Sequence, residues 1–95
     1  MGKKLDPQQM DLYRATDEVL HYIWNPIGVS DSPYARDEYW AYLPEVFAML
    51  LNGNQEEKIT EYLLRIQSER MGLKPDEKNA NRVVKILYEY KEKLL

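Results

Sequence analysis

The chain's one histidine, His21, follows Asp17 by four residues, which puts both on one face of any helix that contains them. Such a pair could share a proton or a metal ion. One imidazole and one carboxylate fall short of the three or four ligands a metal site uses, so the pair reads as an exposed ion pair on a helix surface. Asp37-Glu38 and Glu56-Glu57 are adjacent carboxylates. Adjacent helical residues point about 100° apart, so neither is a preformed acid–base dyad, and both suit the positive end of a helix. Hydrolysis by paired carboxylates needs groups brought together from separate elements. Cysteine is absent, which removes disulfides, thiolate nucleophiles and Cys-based zinc sites. No nucleophile elbow, Walker loop or dinucleotide fingerprint occurs. The sequence therefore assigns no catalytic residue, no cofactor and no metal, and the protein reads as a non-enzyme.

Two cationic features stand out. Lys74, Lys78, Arg82 and Lys85 form a basic stripe along the last helical stretch, opposite its apolar face. A stripe of this kind can grip phosphates, but no aromatics interleave with it and the pI is about 5.1, so it reads as a solvated face. Arg70 falls on the apolar stripe of the third helix, one turn beyond Ile66. Either its stem snorkels past the core edge, or its guanidinium holds a carboxylate or carbonyl of the Trp24–Val29 turn.

That turn, Trp24-Asn25-Pro26-Ile27-Gly28-Val29, is the least generic wording in the chain. Asn, Pro and Gly at the first, second and fourth positions fit a type I turn. Asn25 can hydrogen-bond its own backbone two residues on, and Pro26 drives Asn25 out of helical angles. Trp24, Ile27 and Val29 are expected to pack on the core. Close by, Tyr34, Tyr39, Trp40 and Tyr42 place four aromatics within nine residues. Core and core-rim packing is the simpler reading of this cluster, and a partner or dimer surface is the other, since Tyr and Trp are favoured there.

The elements that must position these residues are helical. Asp6 caps a first helix from about Pro7 to Ile23, with Gln9 completing a capping box. Ser32-Pro33 starts a second helix that runs to Leu51, its apolar arc so wide that it should be central. Pro44 lies inside it and predicts a kink or split near Trp40 to Leu43. Gly53 ends that helix, and Asn54 with Glu57 caps a third, which stops near Met71 with Gly72 as its left-handed residue. Lys74-Pro75-Asp76-Glu77 opens the fourth, to about Lys93. The fold expected is all-α: four main helices, five if the second splits at Pro44, in one domain over residues 1–95 with a flexible N-terminus at 1–6.

Ninety-five residues, 44% of them hydrophobic, suffice for one modest core. The net charge of −3 is unevenly placed: ten acidic against two basic residues from Leu5 to Glu57, then nine basic against six acidic to Leu95. No apolar run approaches a membrane span, and Lys3-Lys4 lack the apolar segment of a signal peptide. A cytoplasmic protein is expected.

Tyr22 to Val29, then Ala35-Arg36-Asp37-Glu38-Tyr39, Tyr42, Pro44 and Glu69-Arg70-Met71-Gly72-Leu73 occur in one order and spacing. This combination resembles a family of small bacterial proteins, YugE-like, that carry a W-D/N-P-I-G-V loop and a later E-x-M-G-L segment. The resemblance spans roughly residues 12 to 95. It implies a bacterial, cytosolic, all-helical protein and implies no activity. Asn25 stands where many members carry Asp, which weighs against any role needing a carboxylate there.

The function expected is a protein–protein interaction module, an adaptor or an inhibitor of the immunity-protein kind. Its acidic half suits a basic partner, and a homodimer is admissible. The alternative is a small enzyme or ligand-binding protein with a pocket at the turn between helices 1 and 2, near Trp24 and Asn25 and lined by Arg36, Asp37 or Arg70. Nucleic-acid binding through helix 4 is the weakest reading.

Overall fold

The computed structural model describes residues 5–28 and 31–95. Residues 1–4 of the expected flexible terminus, and Val29 of the turn, lie outside the described residues. Asp6 does cap α1 (Pro7–Glu18): its Oδ1 accepts from the Gln9 N–H at 2.8 Å, and Gln9 Oε1 accepts from the Asp6 N–H at 3.2 Å. The helix then widens into a π turn, Val19–Trp24, whose last bond runs from Asn25 N–H to Leu20 O at 3.0 Å. Asn25 stops it by adopting φ 36°, ψ 53°, left-handed angles that asparagine tolerates better than most side chains. The Gly28 N–H then bonds back to Asn25 O at 3.2 Å and closes the expected turn.

The second helix is shorter than the sequence suggests. Pro33–Ala35 is a 3-10 turn, and bonds from Glu38 to Ala35, Trp40 to Asp37 and Tyr42 to Tyr39 continue the chain in tight i to i+3 turns. α2 begins only at Leu43 and runs to Leu51. Pro44 therefore does not kink a long helix; it occupies the first turn, where its missing N–H would have had no partner. The split forecast near Trp40 to Leu43 is a true helix start.

α3 (Glu56–Arg65) begins one residue later than an Asn54 cap would have it: Gln55 holds the N-cap position at extended angles, and its side chain makes no capping bond. It too widens into a π turn, Ile66–Arg70, closed by Met71 N–H to Ile66 O at 3.1 Å and Leu73 N–H to Gln67 O at 2.9 Å. Gly72 sits at φ 65°, the left-handed exit expected of it. In α4 (Glu77–Leu94), Asp76 Oδ1 accepts from the Asn79 N–H at 3.1 Å. The described residues form an all-α array of four main helices with no strand. Among the described residues no helix is long and apolar enough to cross a membrane.

The core draws Val19, Leu20 and Trp24 from the first π turn, Leu43, Val46 and Leu50 from α2, Ile59 and Leu63 from α3, and Val83, Val84 and Leu87 from α4. α4 packs against α1, α2, α3 and the first π turn. It, rather than the wide-faced α2, is the central helix. Shortening α2 to nine residues left it too small to span the others, while α4 keeps eighteen, about 27 Å.

Candidate functional site

The turn after α1 is built around Tyr39. Its ring is buried against Trp24, with centroids 5.3 Å apart, and its hydroxyl donates to Asn25 Oδ1 at 3.0 Å. The Tyr39 hydroxyl oxygen in turn accepts from the Ile27 N–H at 3.0 Å. The expected link between the Asn25 side chain and the backbone two residues on thus runs through a phenol. Burial pushes the Tyr39 hydroxyl up from the usual tyrosine range, and the N–H groups of Ile27 and Gly28 pull it part of the way back. Trp24 is buried beneath the turn, and its carbonyl accepts from Asn79 Nδ2 of α4 at 3.1 Å. Pro26 is half-buried, whereas Ile27, expected on the core, is exposed.

Asp17 has different partners from the one its spacing suggested. Its carboxylate takes both nitrogens of the Arg36 fork, Nη1 at 2.9 Å and Nη2 at 3.1 Å, and accepts from Trp40 Nε1 at 3.1 Å. Arg36 also lies over the Tyr22 ring, 5.5 Å from its centroid. The hydrogen bonds to Asp17 raise the Arg36 pKa, against a smaller opposing effect of burial. His21 is not the exposed partner of Asp17: it is buried, edge-on to Tyr22 at 4.5 Å, and its Nδ1 has no hydrogen-bond partner. The reason is the turn itself. Widening of the helix at Val19–Trp24 carries His21 inward, where its ring also approaches Tyr39.

The four aromatics of the 34–42 segment divide. Tyr39 is core and Tyr42 is half-buried, edge-on to Trp24. Tyr34 is 96% exposed and Trp40 52% exposed, and Tyr22 joins them at 55%. Trp40 and Leu43 face a cleft shared with Tyr13 and Asp17. Ala41 and Tyr42 face another, of about 430 Å³, shared with Tyr62, Arg65, Ile66, Glu69 and Arg70. Arg70 is exposed there, and among the described residues it makes no bond to the Trp24 turn. Of the carbonyls of that turn, the one of Trp24 accepts from Asn79. The basic stripe of Lys74, Lys78, Arg82 and Lys85 is exposed, with Arg82 Nη2 bonded to Asn79 Oδ1 at 2.9 Å.

Sequence spacing could not reveal the Asp17–Arg36 pair, nineteen residues apart, or the Asn79 contact across fifty-five. Compared with family models, curated proteins and solved structures, the chain matches none.

Proposed function

We propose that this protein is a non-catalytic interaction module that binds a partner protein through its exposed aromatic side chains Tyr22, Tyr34 and Trp40. The observation that carries the reading is the presentation of these rings. Tyr34 and Trp40 stay largely in water although Asp17 holds their segment on α1 through Arg36 and Trp40, and Tyr22 is exposed beneath the Arg36 guanidinium. Exposed Tyr and Trp beside Arg is the composition of binding hot spots, and a side chain pre-positioned by hydrogen bonds such as that of Trp40 to Asp17 loses less entropy on docking. Asp31, Asp37 and Glu38 lie exposed on the stretch that carries Tyr34 and Trp40, and Glu18 is exposed at the end of α1, which suits a basic partner and rapid steered encounter. The likeness to the YugE-like family, a bacterial source and a cytoplasmic setting belong to the same proposal.

The alternative pocket at the helix 1–helix 2 turn has less to stand on, because Trp24 and Tyr39 fill the space beneath the turn and Arg36 is engaged by Asp17. The test is affinity capture from the native host with the wild-type chain and with Trp40→Ala and Tyr34→Ser. A partner retained by the wild type and lost from both variants supports the proposal. A monomeric native mass with nothing captured, or capture indifferent to both substitutions, overturns it. Capture of nucleic acid with a steep salt dependence would favour α4 instead.

A further inference from the structure

The 430 Å³ cleft between the start of α2 and the end of α3 has a lining that the protein-binding face does not use. Arg65 and Arg70 are five residues apart. In an α-helix they would point about 140° away from each other. The π turn changes this, because i to i+5 bonding puts residues five apart one turn above the other, and the Met71 N–H to Ile66 O bond at 3.1 Å shows that bonding in place. Both arginines consequently line one cleft. Among the described residues neither guanidinium has an ion pair or a hydrogen bond.

Two phenols join them. Tyr42 and Tyr62 line the same cleft from α2's entry and from α3. Burial pushes the Tyr62 hydroxyl up, Glu45 and Tyr42 push the same way, and Arg70 and Arg65 pull it down, so that hydroxyl lies within the field of both cations. Glu69 shares the lining. The two unengaged guanidiniums present two charges to one cleft, which a phosphate dianion with three acceptor oxygens meets together and a monocarboxylate does not. The planar forks of arginine match phosphate oxygens in pairs. The volume is that of a small-molecule site rather than a protein interface.

We infer that this cleft binds a small organic phosphate monoester, its phosphate held by Arg65 and Arg70 and hydrogen-bonded by Tyr42 and Tyr62, its organic part between the tyrosine rings. The site is separate from the Tyr34–Trp40 face, and each stands or falls alone.

The experiment is an amide-resolved NMR titration of the full chain with phenyl phosphate, inorganic phosphate and benzoate. Phenyl phosphate should give saturable shifts at Tyr42, Tyr62 and Arg70 with a dissociation constant of about 1 mM or below, inorganic phosphate weaker ones, and benzoate none that saturate. Arg65→Gln and Arg70→Gln, both at exposed positions, should each weaken phenyl phosphate about tenfold or more with the spectrum otherwise unchanged. Absence of saturation, equal binding of benzoate, or affinity unchanged in both variants overturns the assignment. A phosphotyrosine peptide that binds far more tightly than phenyl phosphate overturns the small-molecule occupant.

Discussion

The phenol oxygen of Tyr39 stands between Asn25 and Ile27, donating to the Asn25 side chain and accepting from the Ile27 N–H, each at 3.0 Å. One side chain from the 33–42 segment therefore fixes the turn that ends the first helix. The two segments cannot loosen independently, and the loop's apolar, asparagine-proline wording makes sense as the receiving half of that contact.

Tyr39→Phe keeps the buried ring and removes only the bridge. It leaves the Ile27 N–H without its phenol partner and takes one donor from Asn25. The cost should be about 1–3 kcal/mol, read as a fall in Tm of roughly 4–8 °C for each kcal/mol in a domain of this size. Tyr39→Ala adds a cavity beside Trp24 and should cost about 3–5 kcal/mol. Thermal unfolding of the three proteins checks both, and a Phe variant as stable as wild type would show the bridge to be idle.

Alkaline pH should destabilise the fold. Burial raises the hydroxyls of Tyr39, Tyr62 and Tyr88 above the ordinary tyrosine value. The unfolded chain then releases these protons first, so stability holds steady below about pH 10 and falls as pH rises through the raised native values. Tm measured from pH 7 to 11 should be flat and then drop. Tyr39→Phe should shallow the drop, since its ring no longer titrates.

Asp17→Ala should release the 33–42 segment while leaving the core intact. The Asp17–Arg36 pair is partly exposed, 22% and 35% on its two side chains, so solvent screens it and its loss should cost only about 0.5–1 kcal/mol globally. The local effect is larger because Trp40 Nε1 loses its acceptor at the same time. Hydrogen exchange at the Trp40 and Tyr42 amides should accelerate far more than exchange in α4, and tryptic cleavage after Arg36 should appear first. Uniform acceleration across the chain would contradict a local role.

The cap of α1, the start of α4 and the left-handed glycines 53 and 72 were legible because each rests on residues within one turn. The helix count was legible for the same reason. What spacing misjudged came from the two π turns and from Pro44. A 100° periodicity assumes α geometry throughout, so it set His21 outside and Arg70 on the apolar stripe, whereas across the i to i+5 turns His21 is buried and Arg70 is exposed at a cleft. Pro44 is equally compatible with a kinked interior and with a first turn; the tertiary contacts of Tyr39 and Arg36 decide for the latter. The aromatic face was half-legible: residue type pointed to it, but only the fold separates buried Tyr39 from exposed Tyr34.

The position of α4 makes the last prediction. Ala80, Val83 and Leu87 have no exposed surface, Val84 is 1% exposed, and the helix touches α1, α2 and α3. An element held from three sides opens only when the whole domain unfolds, whereas nine-residue α2, entered through a chain of 3-10 turns, can detach alone. Amides of 83–87 should therefore exchange at the rate set by global stability and shift one-for-one with added denaturant, while those of 47–51 exchange sooner and with weaker dependence. Leu87→Ala should cost about 2–5 kcal/mol, a large share of the roughly 5–15 kcal/mol available to such a domain. It should lower protection across the whole chain. Protection in α2 outlasting that in α4 would return the central place to the wide apolar face of the second helix.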